Sequence, residues 1–155
     1  MRITTYKIAL DEDFKNILIK EKSINYESEL LKKPSSIVRM MCDVFSLHLM
    51  AEEYLYMVCF NAKCKVLGVF EISHGNSSSS IMGIREIFIR NLLCGATGFV
   101  LIHNHPSSIP EPSDADILST KRLKKAADLM GIDLLDHIII GEQEHYYSMT
   151  DHALI

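Results

Sequence analysis

The chain has 155 residues, 48% of them apolar, with 16 lysines and arginines against 20 aspartates and glutamates, for a formal net charge of −4 at neutral pH. That length and apolar content suit a single domain with a buried core and exclude a disordered or fibrous segment. The acidic balance argues against a sequence-independent duplex-DNA binder, which needs a basic face to neutralise phosphates.

A strand is predicted over Ile3–Leu10, followed up to Leu31 by a segment that reads as a second strand plus loop. Residues 1–34 are expected to pack as an extension on a domain covering 35–155. Pro34-Ser35-Ser36 marks a helix start, and Ile37, Val38, Met41, Val44, Phe45 and Leu49 recur at helical spacing up to the next strand. Strands follow at Glu53–Phe60 and Lys65–Ser73, joined like a hairpin, and then a serine-rich loop, Asn76–Ser80. The remaining elements are a helix at Arg85–Cys94, a strand at Thr97–Ile102, a helix at Ser113–Met130 and a closing hairpin of Leu134–Ile140 and His145–Met149. The predicted fold class is α/β (α+β mixed), a mixed β-sheet flanked by helices.

No charged leader with an apolar core opens the sequence and no apolar run is long enough to span a bilayer, so the expectation is a cytoplasmic protein without a membrane partner. Cys42, Cys59, Cys64 and Cys94 lack a Cys-x-x-Cys pair and are expected to be reduced thiols. Lys121, Arg122, Lys124 and Lys125 alternate with Leu118, Leu123, Ala126 and Leu129, the pattern of a solvated helix face rather than a nucleic-acid site.

The chemistry is concentrated in His103, Asn104, His105 and Pro106, followed by Ser113 and Asp116: His-x-His-Pro-x6-Ser-x2-Asp. In an extended strand, residues i and i+2 project to one side, which places both imidazoles together and turns Asn104 the other way. Pro106 cannot continue a sheet ladder, so the strand ends there. Ser-x-x-Asp is a helix N-cap signature that aims Asp116 from the first helical turn. Two imidazoles and one carboxylate make a zinc site with one open position, the arrangement of catalytic zinc; a structural site closes with a fourth protein ligand. His137 lies in an apolar strand, where a hydrogen-bonded structural role is expected, and His48, His74, His145 and His152 lack ligand spacing; none is assigned to the metal.

These residues resemble the JAMM motif of the JAB/MPN metalloprotease superfamily, and the version His-Asn-His-Pro-Ser resembles its RadC-like branch. The likeness covers roughly Ser35–Met149. It includes the segment from Gly75 to Arg85-Glu86-Ile87-Phe88, then Leu129-Met130-Gly131-Ile132, Leu135–Gly141 and Tyr147-Ser148. Two departures flank the motif: Gly83-Ile84 where relatives carry an aromatic residue or His followed by Pro, and Ser108-Ile109 where they have Gly-Asp. The resemblance implies a JAB/MPN-like, cytidine-deaminase-like architecture and zinc held by His103, His105 and Asp116. It also implies a catalytic glutamate at the start of the first core strand. Glu53 takes that place, with Glu52, Glu71 and Glu86 as alternatives, Glu52 because a one-residue register error would exchange the two.

The implied activity is metal-assisted hydrolysis of an amide bond in a peptide or protein, with Glu53 as base and Ser113 as a donor to the oxyanion. Two other function classes are weighed beside it. RadC-like proteins carry a DNA-repair association, and relatives have a helix-hairpin-helix module that this sequence does not include. A nucleic-acid role is therefore expected only through a local patch or a partner. The other class is a zinc-binding scaffold without turnover. The letters His-Asn-His also invite an HNH nuclease reading, set aside because those nucleases disperse the three residues over a ββα unit. A homodimer through the N-terminal strand is a further expectation.

Overall fold

The protein was analysed as a computed structural model that describes residues 1–27, 31–75, 82–143 and 145–155; the predicted serine-rich loop lies outside the described residues. The elements are β1 (Arg2–Leu10), β2 (Asn16–Asn25), α1 (Pro34–Phe45), β3 (Glu53–Phe60), β4 (Val66–Gly75), α2 (Ile84–Cys94), β5 (Gly98–Asn104), α3 (Asp114–Met130), β6 (Asp133–Glu142) and β7 (His145–Ser148). Among the described residues they form one seven-stranded mixed sheet of order β2-β1-β4-β3-β5-β6-β7. The β3–β4, β3–β5, β1–β2 and β6–β7 pairs are antiparallel, whereas β5–β6 and β1–β4 are parallel. This is the mixed sheet flanked by helices that the sequence predicts.

The sheet is apolar on both faces at its centre because β3, β5 and β6 are near-continuous runs of buried residues, the composition of strands covered by helices on either side. Tyr56, Val58, Val100, Ile102, Ile138 and Ile140 face α1 with its Ile37, Val38 and Met41. On the opposite face Leu55, Met57, Phe99 and Leu101 meet Ile87 and Phe88 of α2 and Leu123 and Ala127 of α3. Along β3 and β5 the two faces sort by strand parity, whereas in β6 Leu134 joins the face opposite Ile138 and Ile140, past the register shift at Phe99/Val100.

The segment after β1 is a full strand that closes the N-terminal hairpin, largely exposed along its length. The helix α1 is shorter than its apolar spacing predicts. Ser46 turns left-handed at φ 52° and ends it, and Leu47–Leu49 form a separate 3-10 turn with Leu49 exposed. Leu49 fits the helical period but lies past this stop. No described helix is long and apolar enough to cross a membrane.

Leu123 is fully buried and anchors α3 on the sheet. Leu123→Ala is expected to destabilise the chain by about 2–5 kcal/mol in urea unfolding. A loss under about 1 kcal/mol would mean that α3 is not docked as described.

Candidate metal centre

β5 runs between β3 and β6 and ends at Asn104, so its last residues emerge where both neighbours still continue. His103 opposes Leu55 of β3 and Ile139 of β6 and is buried, on the sheet face shared with Leu101. Asn104 points to the other face, as alternation requires. There its Oδ1 accepts from Tyr54 N (2.8 Å), and its Nδ2 donates to the carbonyls of Met50 (3.2 Å) and Glu52 (3.0 Å). One buried amide therefore pins the residues on both sides of Glu53.

His105 follows past the end of the strand, held by its N–H to the Ile140 carbonyl at 2.9 Å. Its Nδ1 donates to the Ile109 carbonyl at 2.7 Å, which leaves Nε2 facing the site. The loop that supplies Ile109 turns through Ser108 at φ 63°, a left-handed conformation that costs a non-glycine residue about 1–2 kcal/mol and accounts for glycine in the family pattern there. The same loop lies so close to β6 that a Cβ at Gly141 would collide with the Ser108 carbonyl. Asp116 comes from the first turn of α3, where Ser113 is the N-cap. Ser113 donates to Asp116 Oδ2 through both Oγ (2.6 Å) and its backbone N–H (2.8 Å), leaving Oδ1 free to face the histidines.

His103, His105 and Asp116 are the group among the described residues whose donor atoms could hold a metal ion, all within 4.8 Å of one another. The two Nε2 atoms are 3.0 Å apart, Asp116 Oδ1 is 3.8 Å from His103 Nε2, and Oδ2 is 3.8 Å from His105 Nε2. Zinc–ligand distances of about 2.0–2.1 Å imply tetrahedral donor–donor edges of about 3.3 Å, which these three separations bracket. The donor set fits a divalent cation with a position left open toward the cleft.

That cleft, about 590 Å³, is lined by the three donors together with Glu53, Leu55, Met82, Ser113, Leu118, Arg122 and His137. Glu53 lies on β3 with the parity of Leu55 and so shares the histidines' sheet face. The other carboxylates lie elsewhere. Glu52 is exposed, Glu71 is bonded to Tyr56 (3.3 Å) and His74 (2.8 Å), and Glu86 is exposed on α2 beside Arg85 at 3.5 Å. His48, His74, His145 and His152 are likewise absent from the cleft lining.

A family model described as RadC-like JAB domain matches residues 31–154. The chain belongs to this family. Among similar proteins, a UPF0758 protein of Alkaliphilus metalliredigens is 35% identical over 125 residues, 81% of this chain and 53% of the relative. One of Clostridium acetobutylicum is 34% identical over 148 residues, 96% of this chain and 62% of the relative. One of Clostridium perfringens is 39% identical over 112 residues, 72% and 48% respectively. This RadC-like JAB domain thus spans about half to three-fifths of the length of the curated relatives it matches.

Behind the donors of this RadC-like JAB domain stands a residue that sequence reasoning treated only as structural. His137 Nε2 lies 2.8 Å from His103 Nδ1, and its own Nδ1 lies 2.6 Å from Thr120 Oγ1. No spacing signal links these residues, since 34 positions separate His137 from His103 and only the β5–β6 register joins them. Burial pushes His137 down to about 4, and burial together with His137 holds His103 well below the usual imidazole range. His105 is raised by its hydrogen bond to Asp116. Burial raises Asp116, but His105, His103 and Ser113 outweigh it and hold the carboxyl below its ordinary value. Glu53 is raised, by burial first and by Asp116, with His105 opposing.

Two expectations follow from this geometry and charge. Asn104→Ala strands the Tyr54 N–H and two carbonyls, and should cost about 1–3 kcal/mol in thermal or urea unfolding; a neutral result would mean that the strand start is held by other contacts. For the metal-free chain, His137 has a depressed folded value, so between about 6.5 and 4 the unfolded chain binds protons that the folded chain refuses. Stability should therefore fall as pH drops below 6.5, by about 2 kcal/mol at pH 5 from His137 alone. His105 runs oppositely: its contribution is complete below 6.5 and is lost as pH rises through its raised folded value. Urea unfolding in chelator should place maximum stability near pH 6.5, and unchanged stability between pH 6.5 and 5 would contradict the buried neutral pair.

Proposed function

We propose that the chain is a zinc-dependent hydrolase of the JAMM type that cleaves an amide bond in a peptide or protein substrate. The observation that carries the reading is the convergence of His103, His105 and Asp116 on one point of a cleft that also holds Glu53. When bound, zinc supplies a Lewis acid that brings the pKa of a water toward neutrality and polarises a carbonyl oxygen.

The residues supply the rest. His105 presents an Nε2 lone pair when neutral, because its Nδ1–H is given to a carbonyl, and His103 turns Nε2 to the same point with its Nδ1 held by His137. Asp116 lends a full negative charge that Ser113 holds in place. Glu53 takes the proton of the attacking water at its carboxylate and returns it to the leaving amine. Its raised pKa suits both halves of that exchange, since a base working near neutral pH must also be able to act as the acid. Ser113 is the N-cap of α3 and its hydroxyl hydrogen points at Asp116 Oδ2. A second role as oxyanion donor requires that hydrogen to swing away from the carboxylate, so orienting Asp116 is its resting function.

The test separates binding from turnover. Untagged protein purified without added metal should carry about one zinc per chain, lost in His103→Ala and Asp116→Ala. Glu53→Gln should keep the zinc and the thermal stability while losing about 10²–10⁴-fold in amide hydrolysis across a peptide library. Zinc absent from the wild type and not restored at micromolar concentration would overturn the hydrolase reading. Equal turnover by Glu53→Gln would remove Glu53 as the base.

A further inference from the structure

The buried contacts behind His103 form a chain whose direction is set at its far end. Thr120 Oγ1 lies 2.6 Å from the Asp116 carbonyl and 2.6 Å from His137 Nδ1, and a hydroxyl has one hydrogen. A carbonyl can only accept. If Thr120 gave its hydrogen to His137, two oxygens without a hydrogen between them would face each other at that separation inside the protein, which low dielectric penalises. Thr120 therefore donates to Asp116 O, and His137 Nδ1 carries the hydrogen that Thr120 Oγ1 accepts. His137 Nε2 is then a lone pair, and across 2.8 Å it accepts from His103 Nδ1–H. The last consequence is that His103 Nε2 bears no hydrogen and faces the site as a donor.

We propose that His137 and Thr120 are positioning residues for the metal, a buried relay that fixes His103 as the Nδ1–H tautomer and ties it back to the main chain of Asp116. The inference rests on the proposed metal site and extends it inward. The relay closes a ring, because Asp116 ends it with its carbonyl and contributes its carboxylate to the same site. The first turn of α3 is thereby held against β5 and β6 by a path of hydrogen bonds that includes a metal donor at each end. Outer partners of metal-binding histidines are ordinarily carboxylates, carbonyls or water. Here His105 follows that habit with the Ile109 carbonyl, whereas His103 uses a second imidazole. His103, Thr120 and His137 are all buried, so no solvent substitutes for a missing partner.

The test measures zinc affinity of the full chain by chelator competition, with melting of the metal-free forms in parallel. His137→Phe, close in size but unable to accept or donate, should bind zinc about 10–100-fold more weakly, and Thr120→Val should weaken it by about 10-fold. Thr120→Ser, which restores the hydroxyl, should stay within about 3-fold of wild type. In the wild type loaded with zinc, two-bond 1H–15N correlations should show both His103 and His137 as Nδ1–H tautomers, a readout that needs no variant to fold. A hydrogen on His137 Nε2, or unchanged affinity in both His137→Phe and Thr120→Val, overturns the relay while leaving the metal site intact. A wild type that binds no zinc overturns the site and the relay together.

Discussion

Two imidazole nitrogens facing each other at 3.0 Å set the terms for the rest of this structure. His105 has its Nδ1 against a carbonyl and His103 has its Nδ1 against His137, so the two Nε2 atoms are turned toward one point. Brought together in a buried place, they repel unless a proton or a cation lies between them. Without a metal, the hydrogen bond to Asp116 favours a proton on His105, and a cation would compete for that position. Asp116, its N-cap and the cleft all follow from this pair, because each supplies negative charge or access at the same point.

Alternation along β5 divides the work of three consecutive residues. The histidines turn to the face of α2 and α3, where the cleft is, while Asn104 turns to the other face and secures the chain around Glu53. The segment that delivers the donors and the segment that delivers the carboxylate are thus locked by a single amide. Strain is accepted where the loop after His105 must return to present the Ile109 carbonyl. Ser108 sits left-handed there, and Gly141 stays bare so that the loop can close on β6.

Much of this was legible in the sequence because strand parity and helix capping are local. His103 and His105 on one side, Asn104 on the other, the strand end before Pro106 and Ser113 as the cap of α3 all appear as read. The choice of Glu53 over Glu52 depended on register: Glu53 lies two residues before Leu55, which opposes His103, and it lines the cleft. Other features were not local. Apolar spacing carried α1 on to Leu49 because nothing in a periodic pattern marks a serine that will turn left-handed. His137 and Thr120 stood out from neither motif nor spacing. An apolar strand with one histidine looks alike whether that histidine faces a core or the back of His103, and only the parallel β5–β6 register brings it there.

X-ray absorption at the zinc edge on the purified, zinc-loaded chain reads out whether His103, His105 and Asp116 hold the metal. The expected result is a four-coordinate spectrum with imidazole scattering from two histidines, all zinc–ligand distances at about 2.0–2.1 Å and no sulfur. Either sulfur scattering at about 2.3 Å, which would move the metal to the cysteines, or the absence of imidazole scattering would contradict it.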